Sequence, residues 1–294
     1  LRLGNVCNLK CSGCWAVSSD QLYNERKRML SEQSIPGWLA RSWQHELDSV
    51  DKFDYNWFNT PMFDKFIDRV APNLQRLYLT GGEPTLIQKN REILNKLVEV
   101  GNKDCYVCWT TNLTNWPEEF YDKLDFFHES EIQMSIDGFE TSNSYIRYPT
   151  NWKSVEKNFA KAQQLPEKCI LKVYFVYQAW NVYDVFNLVR WIEETQTRRV
   201  DFVPIFLESP DYIHSCVWPE DIREQIVDKL EGFDTPYFGA IQSIKNYTKN
   251  TNKYNPELIN KMRVYIKYLD MYRKYKFSDV FPELTKVIQH AHPE

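Results

Sequence analysis

The run Leu1-Arg2-Leu3-Gly4-Asn5-Val6-Cys7-Asn8-Leu9-Lys10-Cys11-Ser12-Gly13-Cys14 decides how the rest of the chain is read. Its thiols, Cys7, Cys11 and Cys14, are separated by three and then two residues. Such a set can curl round one metal centre and leaves one coordination position without a protein ligand. Thiolates are soft ligands that suit zinc or iron–sulfur iron. A zinc site normally closes with four ligands, and the nearest further candidate, His45, lies well beyond the run. A cubane cluster usually takes four cysteines, so three imply an iron open to another molecule. Leu1-Arg2-Leu3 reads as the end of a strand, and Gly4-Asn5 as the turn that opens a ligand loop.

Downstream, short β-rich runs alternate with helical periods. The runs cover 76–80, 106–111, 131–136, 170–177 and 200–206. Between them Ile93, Leu94, Leu97 and Val98, then Trp152, Val155, Phe159 and Ala162, then Val185, Leu188, Val189 and Ile192 keep the spacing of a helix packed on a core. Strands alternating with helices of that length predict βαβ units and a parallel sheet. With Leu1–Leu3 the expected strand count is six. Residues 20–60 read as a helical, aromatic-rich insertion, and Thr60-Pro61 as a helix start. From Pro219 onward the β-rich runs stop, so a core over 1–218 and a helical extension over 219–294 are expected.

In α/β barrels chemistry collects at the carboxyl ends of the strands, and the unusual residues of this chain fall there. The second strand is followed by Leu79-Thr80-Gly81-Gly82-Glu83-Pro84-Thr85. Two glycines let backbone approach a ligand, and a carboxylate with exposed carbonyls can receive an ammonium group; an ordinary tight turn is the plainer alternative. The third strand ends Cys108-Trp109-Thr110-Thr111-Asn112-Leu113-Thr114, the fourth Met134-Ser135-Ile136-Asp137-Gly138. Alternation places Gln133, Ser135 and Asp137 on one face, although Asp137 also suits a turn or helix cap. Arg147 follows, suited to a carboxylate or to a surface ion pair. On the fifth strand Lys172 and Gln178 share a face, and Asn181 closes it. Cys105 and Cys108, three apart on a strand, point to opposite faces and read as buried thiols.

The Cys-x3-Cys-x2-Cys, Gly-Gly-Glu-Pro and Ser-Ile-Asp-Gly series together resembles the radical S-adenosylmethionine (SAM) superfamily, over Leu1 to about Glu220. The resemblance implies a partial (β/α)6 TIM-like barrel and a [4Fe–4S] cluster on Cys7, Cys11 and Cys14. In that family SAM chelates the open iron and is cleaved reductively to a 5′-deoxyadenosyl radical, which abstracts hydrogen from a substrate. It also implies SAM contacts from Gly81, Gly82, Glu83, Pro84, Asn112, Ser135, Asp137 and Arg147, and an external electron donor of flavodoxin or ferredoxin type. Two positions depart from the pattern: Gly13 stands where an aromatic residue is usual, and Leu113 where glycine is usual. The Ser-Ile-Asp-Gly run and Arg147 bring the chain nearest to SPASM/twitch-type members of phage and environmental sequences, with a peptide as the expected substrate. Relatives there often carry an auxiliary-cluster domain before the first strand, and the start at Leu1 suggests a trimmed chain.

Composition agrees. Lys and Arg number 36 against 40 Asp and Glu, a net charge of −4 that offers no nucleic-acid-binding surface. No apolar run approaches the roughly 18 residues of a membrane span. No charged-then-apolar leader is visible and seven cysteines do not pair into a disulfide framework, so a cytoplasmic enzyme is expected. The alternative that remains is a zinc- or cluster-binding interaction module without catalysis.

Overall fold

A computed structural model describes residues 1–32 and 34–290. Three helices come first, α1 (Asp20–Glu32), α2 (Gly37–Asp51) and α3 (Pro61–Val70). Then β1 (Arg76–Leu79), α4 (Gln88–Glu99), β2 (Tyr106–Thr111), α5 (Glu118–Tyr121) and β3 (Ser130–Ser135) alternate. The alternation continues through α6 (Thr141–Ile146), α7 (Trp152–Ala162), β4 (Cys169–Tyr177), α8 (Val185–Thr195) and β5 (Asp201–Phe206). Helices α9 (Glu220–Glu231), α10 (Phe238–Asn250), α11 (Pro256–Tyr272), α12 (Phe277–Val280) and α13 (Pro282–His290) follow.

The strands form one parallel sheet in the order β1-β2-β3-β4-β5, the α/β arrangement of a partial barrel. Leu77 lies opposite Val107, and Trp109 opposite Ile132. The sixth expected strand is reduced to a bridge: Arg2 pairs in parallel with Thr80, and Thr80 N–H donates to Leu1 O at 2.9 Å. Gly4, at φ 109°, turns the chain out of extended pairing straight after that bridge. Helix starts follow local chemistry. Thr60 accepts from Phe63 N–H at 3.2 Å ahead of Pro61, and Asn255 from Glu257 N–H at 2.9 Å ahead of Pro256. The extension ends in two short helices, α12 and α13, because Pro282 cannot continue the first.

Two compact units divide the chain, Leu1–Met134 with Lys153–Lys172, and Ser135–Trp152 with Val173–Glu294. The division falls inside β3 and β4. In the first unit Trp109 of β2 packs edge-on against Phe120 at 4.7 Å and against Tyr121 at 5.5 Å on the helix side of the sheet. In the second, buried Tyr145 meets Trp180, Phe281 and Phe277 at 5.5–5.7 Å, and its hydroxyl donates to Asp270 at 2.9 Å.

Candidate active site

The cysteine run is an irregular loop held from three sides within the first unit. On one side the helices of the 20–60 segment supply charged and polar partners. Cys7 N–H donates to Asp20 at the start of α1, at 2.9 Å, and Ser19 Oγ donates to Leu9 O at 2.6 Å. Arg26 of α1 donates to Cys14 O at 3.1 Å and forms a buried ion pair with Glu46 of α2, which accepts from Ala16 N–H at 3.0 Å. Lys10 pairs with buried Glu25 at 3.1 Å. A buried backbone group must find a partner, and here side chains of α1 and α2 provide it. The insertion therefore has a definite task, to fix the loop that carries the thiols.

On the second side lies the glycine turn. Glu83 N–H donates to Val6 O at 2.8 Å. Gly81 and Gly82 sit at φ 88° and 55°. A Cβ on Gly82 would fall 2.3 Å from Val6 O and 2.9 Å from the Asn5 carbonyl carbon. The space a side chain would take at Gly82 is thus filled by the cysteine loop's own backbone. Glycine is required there for the two loops to meet.

Glu83 is almost completely buried, with 1% of its surface exposed. Its Oε1 accepts from Thr85 N–H, Thr85 Oγ1 and Thr111 Oγ1, and its Oε2 from Asn112 N–H at 2.7 Å. Burial raises its pKa, and these four donors oppose the rise. A carboxylate offers about four acceptor positions; Oε2, with one bond among the described residues, retains capacity for an ammonium group. Pro84 begins a 3-10 turn over Pro84–Leu86 that follows the carboxylate.

Asn112 closes the third side. Its Nδ2 donates to Asn8 Oδ1 at 2.8 Å, so its side chain lies on the cysteine loop. Leu113, in place of glycine, nevertheless adopts φ 59° and is fully buried. The turn is held by Leu113 N–H to Thr111 Oγ1 at 3.1 Å and by Asn158 Nδ2 to Leu113 O at 2.8 Å.

The remaining expected residues belong to the second unit. Asp137 and Arg147 pair at 2.7 Å, with side-chain exposures of 4% and 12%. Asp137 Oδ1 also accepts from Val176 N–H at 2.7 Å, and its own N–H donates to Asn143 Oδ1 at 3.0 Å. Asn181 donates to Asp137 O and to Val176 O and accepts from Gln178 N–H. Asp137 therefore acts both as a turn-former and as the partner of Arg147. Ser135 ends β3 half-buried.

Alternation along the strands also collects a polar set, of which sequence reasoning named Gln133 and Lys172 but passed over Glu131, Tyr106, Thr110 and Tyr78. On the face away from Trp109, Glu131 accepts from Lys172 at 2.6 Å, from Tyr106 at 2.8 Å and from Gln133 at 2.6 Å. Gln133 accepts in turn from Thr110 at 2.7 Å and from Tyr78 at 3.2 Å. Burial pushes Glu131 upward, but the bonds from Lys172, Gln133 and Tyr106 outweigh it and hold the carboxyl below its usual range. The signal was present in the period-2 pattern that grouped Gln133 with Ser135. Cys105, Cys108 and Cys169 are buried; burial pushes Cys105 up to about 11, which makes it an unreactive thiol.

Cys7, Cys11 and Cys14 are each half-buried. Among the described residues no three His, Cys, Asp or Glu side chains are gathered to hold a single metal ion. In a cubane each thiolate bonds a different iron, so cluster ligands need not converge on one point. The soft three-thiolate donor set fits such a cluster.

The sequence model of the Radical SAM superfamily matches residues 1–177. The chain belongs to the radical SAM superfamily. Among solved structures it is similar to native anSMEcpe with bound AdoMet, at 17% identity and a TM-score of 0.46, over 78% of this chain and 57% of that one. It is also similar to Streptococcus suis SuiB bound to S-adenosylmethionine, at 14% identity and a TM-score of 0.44, over 96% of this chain and 51% of that one. The chain thus spans little more than half the length of these structures. No curated protein matches it. Among the described residues no helix is long and apolar enough to cross a membrane.

Proposed function

We propose that Cys7, Cys11 and Cys14 hold a [4Fe–4S] cluster and that the chain cleaves SAM reductively to abstract hydrogen from a peptide. The observation that carries the reading is the packing of the cysteine loop on the Gly81-Gly82-Glu83 turn, backbone to backbone, through Val6 O and Gly82. When bound, cluster and SAM supply an electron and a 5′-deoxyadenosyl radical; the protein supplies orientation and exclusion of side reactions. The loop contacts from Asp20, Ser19, Arg26 and Glu83 hold the thiolates in place before the cluster arrives. Glu83 Oε2 and the backbone of Gly81, Gly82 and Pro84 receive the methionyl amine. Ser135, Asp137 and Arg147 serve the ribose or carboxylate of SAM, with Asp137 holding Arg147 in place.

The finer placement in the SPASM/twitch branch, and with it the peptide substrate, rests on the Ser-Ile-Asp-Gly run and Arg147. A flavodoxin- or ferredoxin-type donor and a cytoplasmic setting follow from the demands of a reducible cluster. The test is turnover. With dithionite the chain should release 5′-deoxyadenosine slowly, faster with its peptide, and a peptide deuterated at the abstracted position should pass label into that product. A colourless preparation carrying stoichiometric zinc would replace this reading with the interaction module.

A further inference from the structure

Asn8, between the first and second cluster cysteines, is joined to the end of β2 by a closed ring of side chains. Asn8 Nδ2 donates to Thr114 Oγ1 at 2.8 Å, and Thr114 Oγ1 donates to Asn112 Oδ1 at 2.6 Å. Asn112 Nδ2 then donates to Asn8 Oδ1 at 2.8 Å. Every donor in the ring finds an acceptor, and all point the same way round. The ring is also fixed to the main chain, since Thr114 N–H donates to Asn112 Oδ1 at 3.0 Å and Asn112 N–H to Glu83 at 2.7 Å. The two contacts of Asn8 bridge more than a hundred residues of sequence, while Asn112 and Thr114 form a local turn that presents them to it.

Other anchors act on the loop beside the ring: Asp20 at Cys7 N–H, Ser19 at Leu9 O, Glu25 at Lys10, Arg26 at Cys14 O, and the glycine turn at Val6. From the geometry we infer that the Asn8–Asn112–Thr114 ring positions the Cys7–Cys11 segment, and that Asn112 is a positioning residue for the cluster, not a ligand of SAM. This rests on the assignment of the cluster to these cysteines. Residues that orient metal ligands from behind typically cost about 10–100-fold in metal affinity when removed. The ring lies at the solvent edge, with Asn8 exposed, so the low end of that range applies.

The test compares Asn8→Ala, Asn112→Ala and the double variant, each as the full chain reconstituted anaerobically. Three quantities are read: the rate of iron loss to a chelator, the electron paramagnetic resonance spectrum of the reduced cluster without SAM, and SAM affinity. Both single variants should lose iron about tenfold faster than wild type and shift the spectrum in the same way. The double variant should be no worse than the worse single, as for partners in one network. Asn8→Ala with wild-type iron retention and spectrum overturns the inference. So does Asn112→Ala that weakens SAM binding while leaving the cluster unchanged, or additive effects in the double variant. Asn8 is exposed, so its variant folds even where Asn112→Ala does not. Wild-type protein that takes up no cluster would sink the functional reading itself, a result distinct from any of these.

Discussion

Leu113 offers the sharpest physical test of the site's architecture. It is fully buried yet sits at φ 59°, where a non-glycine residue costs about 1–2 kcal/mol. Two effects oppose each other at one position. Removing a buried leucine side chain typically costs about 2–5 kcal/mol. Leu113→Ala loses that burial and keeps the backbone cost. Leu113→Gly loses the same burial and one further methyl, but recovers about 1–2 kcal/mol of backbone strain. Against that gain stands the freer unfolded chain of glycine, about 0.4–1 kcal/mol. At an ordinary helix or strand site alanine exceeds glycine by about 0.5–1 kcal/mol. Here that advantage should vanish or reverse, while both variants fall about 2–5 kcal/mol below wild type. Urea unfolding followed by circular dichroism, with m-values checked for constancy, reads all three. Alanine exceeding glycine by about 1 kcal/mol would refute the argument that burial and the Thr111 and Asn158 bonds hold a strained turn.

Arg26→Ala leaves Glu46 buried without its cation and removes the Arg26 bond to Cys14 O, so stability should fall by about 3–5 kcal/mol; a loss below about 1 kcal/mol in urea unfolding would contradict the role given to the insertion. Gly82→Ala drives its methyl into Val6 O and the Asn5 carbonyl, and should lower iron incorporation severalfold even in the absence of SAM; normal iron content with lost SAM binding would mean that the cradle meets the ligand instead. Asp184, which accepts from Phe139 N–H and Asn187, has its pKa raised by burial, against the donors Ser142, Phe139 N–H and Asn187. A raised carboxyl contributes stability that is present below its unfolded value of about 3.9 and lost as pH rises through the folded value. Wild type should therefore lose stability relative to Asp184→Asn as pH rises from below the unfolded value through the folded one, and a difference that stays flat over that rise would refute it.

Much of the fold was legible because its signals are local. The β-rich runs at 76–80, 106–111, 131–136, 170–177 and 200–206 lie within a residue or so of the five strands. The cap at Thr60-Pro61 starts α3 as expected. Leu1–Leu3 was overread, since alternating leucines signal an extended segment but cannot say how much of it pairs; here pairing stops at Arg2 and Thr80. The site was legible as motifs and illegible as contacts. Nothing local says that Arg26 and Glu46 would meet over Cys14 O, or that Asn112 would reach Asn8, because both contacts join segments far apart in sequence. Leu113 misleads for a different reason. Glycine is the usual residue at positive φ, but a turn with enough tertiary support tolerates a leucine.

The central claim, that Cys7, Cys11 and Cys14 together carry one [4Fe–4S] cluster, is tested most directly by anaerobic reconstitution of wild type beside the triple Cys→Ala variant. Iron and acid-labile sulfide are quantified, and the reduced cluster is examined by electron paramagnetic resonance with and without SAM. Wild type should bind about four irons and four sulfides per chain, with a spectrum that changes when SAM reaches the open iron, and the triple variant should bind none. A triple variant that still takes up a full complement of iron and sulfide would contradict the account.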